Sequence, residues 1–381
     1  MSTGNTAIVI TTVQEPTSCM KVLARQALAH GLQWIVVGDR KGPDRFSLAP
    51  AELLTIEQQR GLPFKIARLL PEKHYARKNI GYLLAMSRGC ECIYETDDDN
   101  APTDAWNIRS LQSEAYPVRK RADVHWANVY EAYTSELIWP RGLPLSRARR
   151  RFSEDFELPA APVRAIAPVQ QGLANGSPDV DAIWRLVLDH EITFNESPNI
   201  LLPRGIWCPF NSQNTWWWKE AFPLMYLPSH CSFRMTDIWR SFVAQRCLWE
   251  LDYELEFHRA DVEQMRNEHD LMRDFEQEIV GYLRNENIRE VLELCDLSSG
   301  PSHVAENLWN CYEALVRAEI MRGPELDLVE AWIQDCTAAL RIEGPTASQR
   351  APELRLAQTA VKPEGIGIKD FLEVTRGQLR V

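Results

Sequence analysis

The sequence predicts an α/β fold: a sheet flanked by helices, followed by a helical C-terminal region. Three observations carry this reading. Ala7-Ile8-Val9-Ile10-Thr11-Thr12 is a β-branched run of the kind that fills a buried strand. A helical stripe follows (Met20, Leu23, Ala24, Ala27, Leu28), then a second strand, Trp34-Ile35-Val36-Val37. That order is a βαβ unit, which makes the two strands parallel. Third, the short apolar strand Cys92-Ile93-Tyr94 runs through Glu95-Thr96 into Asp97-Asp98-Asp99. The carboxyl ends of strands are where an open α/β sheet binds ligands.

The elements follow in order. Thr17 or Ser18 caps the first helix and Gly31 ends it. Gly38-Asp39 closes the second strand. The first turn, Thr11 to Pro16, contains no glycine, so it lacks the close backbone approach to pyrophosphate that a dinucleotide fingerprint needs. Lys78 to Ser87 reads as a helix with Ile80, Leu83 and Leu84 inward and Gly89 as its stop, and it feeds the strand that carries the aspartates. Residues 104–153 read as loop-rich around an ordered turn, Trp139 to Pro144, and residues 154–240 as short strands and turns. No apolar strand is evident before Asp179-Val180-Asp181. From Asp237 the pattern is helical, with Asp237 suited to an N-cap. A short strand, Tyr253 to Phe257, intervenes, and amphipathic helices run from Glu263 to about Leu340. The expected division is a sheet domain over 1–260, a helical region over 261–345 and a loosely ordered tail over 346–381.

Composition excludes several classes. The chain has 381 residues, 45% of them hydrophobic, enough for a sizeable core. No run of 18 apolar residues exists to span a membrane. The first six residues carry no positive side chain ahead of the first strand, so no secretory leader is expected. Nine scattered cysteines without a CxxC pair suit a reducing cytoplasm. A net charge of −11 argues against nucleic acid as a partner. Two basic islands, Arg119-Lys120-Arg121 and Arg141 to Arg151, read as solvated loops or as a surface for anionic lipid, which would give peripheral contact at the inner membrane face.

Several segments together resemble a GT-A glycosyltransferase, and specifically the STELLO-type family. They are Arg77-Lys78-Asn79-Ile80-Gly81-Tyr82-Leu83, Asp97-Asp98-Asp99, Trp139-Pro140-Arg141-Gly142-Leu143-Pro144, Gln170 to Gly176, Pro178 to Asp181, and Pro209 to Thr215. They stand in family order, from the first strand to about residue 340. Plant members carry a membrane anchor; this sequence shows no apolar stretch long enough to serve as one.

The resemblance implies a Rossmann-like, nucleotide-sugar-binding mixed sheet. It implies metal-dependent transfer of a sugar, from a UDP-sugar by preference, to a glycan or lipid-linked glycan acceptor. Asp97 and Asp99 have the spacing to hold Mn²⁺ or Mg²⁺ across the donor's two phosphates, with Asp98 then facing ribose or sugar; which two ligate stays open. Thr11, Thr12 and Asp39 would receive the nucleoside. Arg77 and Lys78 would meet donor phosphates or the base, and a cation at a helix N-terminus opposes the dipole unless it has such a role. Gln171 and Asn211 are expected on the donor side, and His258 as a third metal ligand. Asp237 is the expected base of an inverting transfer. Arg266 to Asp270 is a polar knot able to close over the diphosphate or to start a helix. Two other readings remain: a self-glycosylating mutase like the reversibly glycosylated polypeptides, and a non-catalytic organiser of a polysaccharide-synthesis complex.

Overall fold

The computed structural model describes residues 5–121, 123–267 and 270–340. The strands are β1 (Thr6–Thr12), β2 (Gln33–Gly38), β3 (Ala51–Leu54), β4 (Cys92–Thr96), β5 (Asn100–Pro102), β6 (Gln112–Pro117), β7 (Arg119–Lys120), β8 (Phe156–Glu157), β9 (Val163–Ile166), β10 (Val169–Gly176), β11 (Ile200–Leu202), β12 (Asn214–Trp218) and β13 (Leu255–Gln264). The helices are α1 (Ser18–His30), α2 (Ile56–Gly61), α3 (Ile66–Leu69), α4 (Lys78–Ser87), α5 (Phe152–Asp155), α6 (Ala182–Val187), α7 (Thr236–Glu250), α8 (Leu271–Glu293), α9 (Val304–Arg317) and α10 (Glu325–Leu340). Among the described residues, one mixed sheet runs β3-β2-β1-β4-β12-β10-β13-β11-β6-β9, with β5 paired to β13 beside that path and β7-β8 as a separate ribbon. This is a GT-A-like α/β architecture.

The first half of the sheet is the βαβ unit expected from the sequence. Thr17 caps α1 by accepting from the Met20 amide, and Gly31 ends it in the left-handed region at φ 63°. β1 lies parallel to β2 on one side and to β4 on the other. The chain therefore builds outward from β1 in one direction and then restarts on its opposite side. That reversal is a topological switch point, and it opens a crevice at the strands' carboxyl ends.

Alternation along the strands feeds two cores. Val9, Ile35, Val37 and Ile93 face one layer with α4 and α7, while Ile8, Ile10, Trp34 and Tyr94 face the other with Met20, Leu23 and Ala27 of α1. The three tryptophans of β12 obey the same rule: Trp217 enters the first core, Trp216 and Trp218 the second. The C-terminal helices join the first core through Ile288, Leu308 and Trp332. Trp332 donates its indole N–H to the Pro223 carbonyl at 2.8 Å. Glu325 accepts from the Tyr226 hydroxyl and the His230 amide, the latter at 2.7 Å. No helix among the described residues is long and apolar enough to cross a membrane.

Several expectations need correction. β13 extends to Gln264, seven residues beyond the expected end at Phe257, so His258 lies within a strand and not after one. A buried strand, β10, does lead into Asp179; its glutamines hid it, because Gln170 and Gln171 are buried polar residues bonded to backbone carbonyls. Asp237 is not an N-cap. Helix α7 starts at Thr236 after Met235, and Asp237 lies inside its first turn. Asp270 does start a helix, accepting from the Met272 and Arg273 amides. Glu268 and His269 of that knot, and the tail from residue 346, lie outside the described residues.

Gly81 sets how closely α4 approaches the sheet. A Cβ there would stand 2.6 Å from Val9 Cγ1 and 2.8 Å from Val37 Cγ2. Gly81→Val should therefore cost about 1–3 kcal/mol, the usual penalty for overpacking, and lower the urea midpoint. An unchanged midpoint would show that this contact does not govern the spacing.

Candidate active site

The crevice at the switch point is a cleft of about 690 Å³. Three groups of residues line it. Thr11, Thr12 and Asp39 come from the ends of β1 and β2. Asp97, Asp98 and Asp99 follow β4. Arg141, Asp179, Asn211 and Asp237 come from the turns and helix beyond β12 and β10. Of the residues expected at the site, Arg77 also lines it, whereas Lys78, Gln171 and His258 do not.

The aspartates are held by three different sets of partners. Asp97 Oδ1 accepts from the Tyr75 hydroxyl at 2.8 Å and from Lys78 Nζ at 3.0 Å. Burial still pushes its carboxyl up, against the pull of Lys78. Asp98 Oδ2 accepts from the Thr12 hydroxyl at 2.6 Å, and its other oxygen faces Asn267 Nδ2 at 3.5 Å. Asp99 Oδ2 accepts from Gln264 Nε2 at 3.1 Å. Its Oδ1 is buried without a hydrogen bond of ordinary geometry among the described residues. Burial, and then repulsion from Asp97 and Asp98, raises the Asp99 carboxyl to about 7.

A buried carboxylate oxygen left without a donor is costly, and a cation is one group that would satisfy it. The described residues contain no cluster of three or more His, Cys, Asp or Glu side chains arranged around a metal. A small hard cation does not require one, since one or two carboxylates plus substrate phosphates suffice. The fit therefore rests on the aspartates alone. His258 lies in the body of β13, ahead of a register shift that interrupts the regular strand before Val262, and it does not line the cleft. It is buried, its Nδ1 lies 2.9 Å from the Arg259 carbonyl, and burial drives its pKa well down. The structure therefore does not bring His258 to the cleft wall with the aspartates.

Lys78 also differs from expectation. It is fully buried, and its ammonium donates to the Thr96 carbonyl at 2.7 Å as well as to Asp97. It acts on the aspartate and cannot meet a phosphate directly. Gln171 spends its amide inside the sheet, accepting from the Asn211 amide at 2.9 Å and the Thr215 hydroxyl at 3.0 Å. It positions Asn211 but does not reach the cleft. Arg77 is nearly buried, donating to Gln59 Oε1 at 2.7 Å and the Leu70 carbonyl at 3.2 Å. Asp39 accepts from the His74 amide at 3.1 Å and the Arg40 amide at 2.7 Å.

On the far side, Arg141 is shared between two aspartates. It donates to Asp179 Oδ1 at 2.7 Å and Oδ2 at 2.8 Å, and to Asp237 Oδ1 at 3.1 Å and Oδ2 at 3.0 Å. The Ser212 amide reaches Asp237 Oδ2 at 3.3 Å. Burial alone would raise the Asp237 carboxyl, but Arg141 outweighs it and holds the group below the usual carboxylate range. Asp181 does not join the pair. It caps α6 through the Trp184 amide at 2.8 Å and accepts from the Trp139 indole at 2.6 Å, so Asp179 and Asp181 are not a second metal motif. Sequence reasoning placed Arg141 only within a turn and a basic island; it missed Tyr75 and Gln264 altogether. Of the basic islands, Arg147 and Arg150 are tied to Asp155, and Arg121 lies 3.5 Å from Glu157.

Fold and cleft thus define a GT-A-like protein with an acidic site at the switch point. The family model described as STELLO glycosyltransferases matches residues 234–347, from the approach to α7 through the C-terminal helices. The Arabidopsis thaliana protein named "Probable glycosyltransferase STELLO1" is 30% identical over 261 residues, which is 64% of this chain and 33% of that protein. "Probable glycosyltransferase STELLO2" of the same plant is 29% identical over 261 residues, 64% of this chain and 34% of that protein. The match thus spans about a third of either relative's length. Over those residues the chain is similar to STELLO-type proteins, the family that its motifs resemble.

The Arg141 cluster yields a prediction. Arg141→Met would leave Asp179 and Asp237 facing each other without their shared cation. Stability at neutral pH should fall by about 3–5 kcal/mol, the range for breaking a buried ion pair. The deficit should shrink as pH falls and the two carboxyls protonate. A urea titration showing no pH dependence of the deficit would mean that the pair is solvated.

Proposed function

We propose that this protein is a glycosyltransferase that takes a sugar from a nucleotide diphosphate sugar, with UDP as the nucleotide, and passes it to a glycan or lipid-linked glycan. The carrying observation is the meeting, in one cleft at the switch point, of Asp97, Asp98 and Asp99 with the ends of β1 and β2. The names of the two Arabidopsis relatives support the reaction class.

In this reading the nucleoside lies over Thr11, Thr12 and Asp39. Asp97 and Asp99 would hold Mn²⁺ or Mg²⁺, which when bound would supply positive charge to stabilise a departing diphosphate. Lys78 and Tyr75 restrain one oxygen of Asp97, which fixes the direction in which the carboxylate faces the cleft. Asp98 is oriented by Thr12 and supports the strand-end turn. Asn211 faces the sugar, held by Gln171.

Asp237 is the proposed base for an inverting transfer. One guanidinium between two carboxylates leaves the Arg141, Asp179 and Asp237 group with one uncompensated negative charge. An incoming hydroxyl can pass its proton to Asp237 while Arg141 stays paired to Asp179. The clamp keeps Asp237 ionised at working pH, and it lowers the basicity on which proton transfer draws.

Calorimetry with UDP and Mn²⁺ tests the donor site. Binding should be measurable, should vanish with EDTA, and should vanish in Asp97→Ala/Asp99→Ala while the thermal midpoint without metal stays close to wild type. Binding that survives both treatments would remove the metal from the reading. A hydrolysis screen over nucleotide sugars then identifies the donor.

Asp237→Asn separates base from scaffold. Turnover should drop by about 10²–10⁴ with donor affinity retained. At saturating donor and cation, kcat should show no acid limb between pH ~5 and 7, because the carboxyl is held below the ordinary range near 4. A near-normal rate in Asp237→Asn would move the base to Asp179.

A further inference from the structure

We infer that the half of the cleft built around β10 and β13 receives an anionic group carried by the acceptor, a carboxylate or a phosphate; this rests on the transferase reading above. Beside Arg141, that half is lined by Arg185 on α6, Arg234 just before α7 and Arg266 just after β13, with Arg273 of α8 at its exposed rim. Arg234 and Arg266 are compensated. Arg234 Nε donates to Glu278 at 2.9 Å, and Arg266 donates to Asp274 at 3.0 Å.

Arg185 is different. It is 5% exposed, and its side chain donates to a peptide carbonyl, that of Pro178, at 2.6 Å. Its nearest carboxylate among the described residues is Asp189 at 3.9 Å, itself 61% exposed. The guanidinium lies over the Trp184 ring, 5.2 Å from its centroid. A buried charge without a close counter-ion is expensive, and a guanidinium presents the fork that carboxylates and phosphates match. Burial, and then the neighbouring Arg266, lowers its pKa to about 10.

Position favours the acceptor over the donor. β12 separates β10, which leads to α6 and Arg185, from β1 and β4, whereas the far end of β13 meets the aspartates, Gln264 donating to Asp99. Arg141 ties Asp179, which begins the approach to α6, to Asp237, the proposed base. A hydroxyl approaching that base brings the rest of its molecule toward Arg185. An uncharged acceptor would leave this buried guanidinium with only a peptide carbonyl and the exposed Asp189, 3.9 Å away, as partners.

The test uses the full chain and two pairs of probes, with and without UDP and Mn²⁺: methyl β-glucuronide against methyl β-glucoside, and geranyl phosphate against geraniol. At least one anion should bind about tenfold more tightly than its uncharged partner, the factor expected for one charge-assisted contact. The pair that shows the preference identifies a sugar acid or a lipid phosphate as the source. Arg185→Gln should erase the preference, Arg185→Lys should keep part of it, and UDP–Mn²⁺ affinity should be equal in all three proteins. The proposal is overturned by equal binding of charged and uncharged probes, by a preference that survives Arg185→Gln, or by loss of UDP–Mn²⁺ affinity in Arg185→Gln, which would give the guanidinium to the donor. If wild type binds no UDP, the transferase reading falls, while the charge preference measured without nucleotide still decides the anion site.

Discussion

The site depends on one buried ion pair. Arg240 of α7 donates to both oxygens of Glu95, at 2.9 and 2.8 Å, and neither side chain is more than 1% exposed. Glu95 also accepts from the Tyr82 hydroxyl of α4 and, at 3.0 Å, from the Trp217 indole of β12. Lys78 stands 3.8 Å away on the same side. One carboxylate, two residues before the aspartate triplet, thus joins β4, α4, α7 and β12. Such a pair is a weak source of net stability, since desolvation offsets most of its attraction. Its geometry is what matters here: it aligns the element that ends in Asp97 with the helix that begins beside Asp237.

From that anchor two chains of contact reach the cleft. Lys78 carries one, linking the Thr96 carbonyl to Asp97. Arg240 carries the other, donating to the Ser212 hydroxyl at 3.0 Å, while the Ser212 amide donates to Asp237. Cations buried beneath an acidic cleft explain how six lining aspartates and their neighbours coexist in a small volume. Among the described residues, each lining aspartate has a positive or hydrogen-bonding group behind it, and Asp99 Oδ1 is left without a partner of ordinary geometry. Arg141 applies the same logic on the far side of the cleft.

How far the sequence revealed this depended on whether the information was local. β1, α1, β2, α4 and the strand before Asp97 follow from period-two or period-3.6 patterns bounded by Thr17, Gly31 and Gly89, and each was legible. β10 was not, because Gln170 and Gln171 fill interior positions by bonding the backbone, which pattern reading scores as surface. The length of β13 was hidden likewise by His258, Arg259, Asp261 and Glu263. The Asp triplet announced itself through its place after an apolar strand. The duties of Lys78 and Arg141 did not, because their partners lie 19 residues away in one case and 38 and 96 in the other. Spacing says nothing about such pairs.

β12 has a mechanical consequence. It is the antiparallel strand between the two halves of the sheet, bonded to β4 on one side and to β10 on the other. Trp216 stacks on Tyr94 with ring centroids 4.4 Å apart, while Trp217 sits in the opposite layer near Phe210. The strand is therefore riveted through both faces. Bending the sheet there would pull indoles out of two cores at once. The aspartates after β4 and the Arg141 cluster across the cleft are thus carried on one continuous sheet, like jaws cast in one piece.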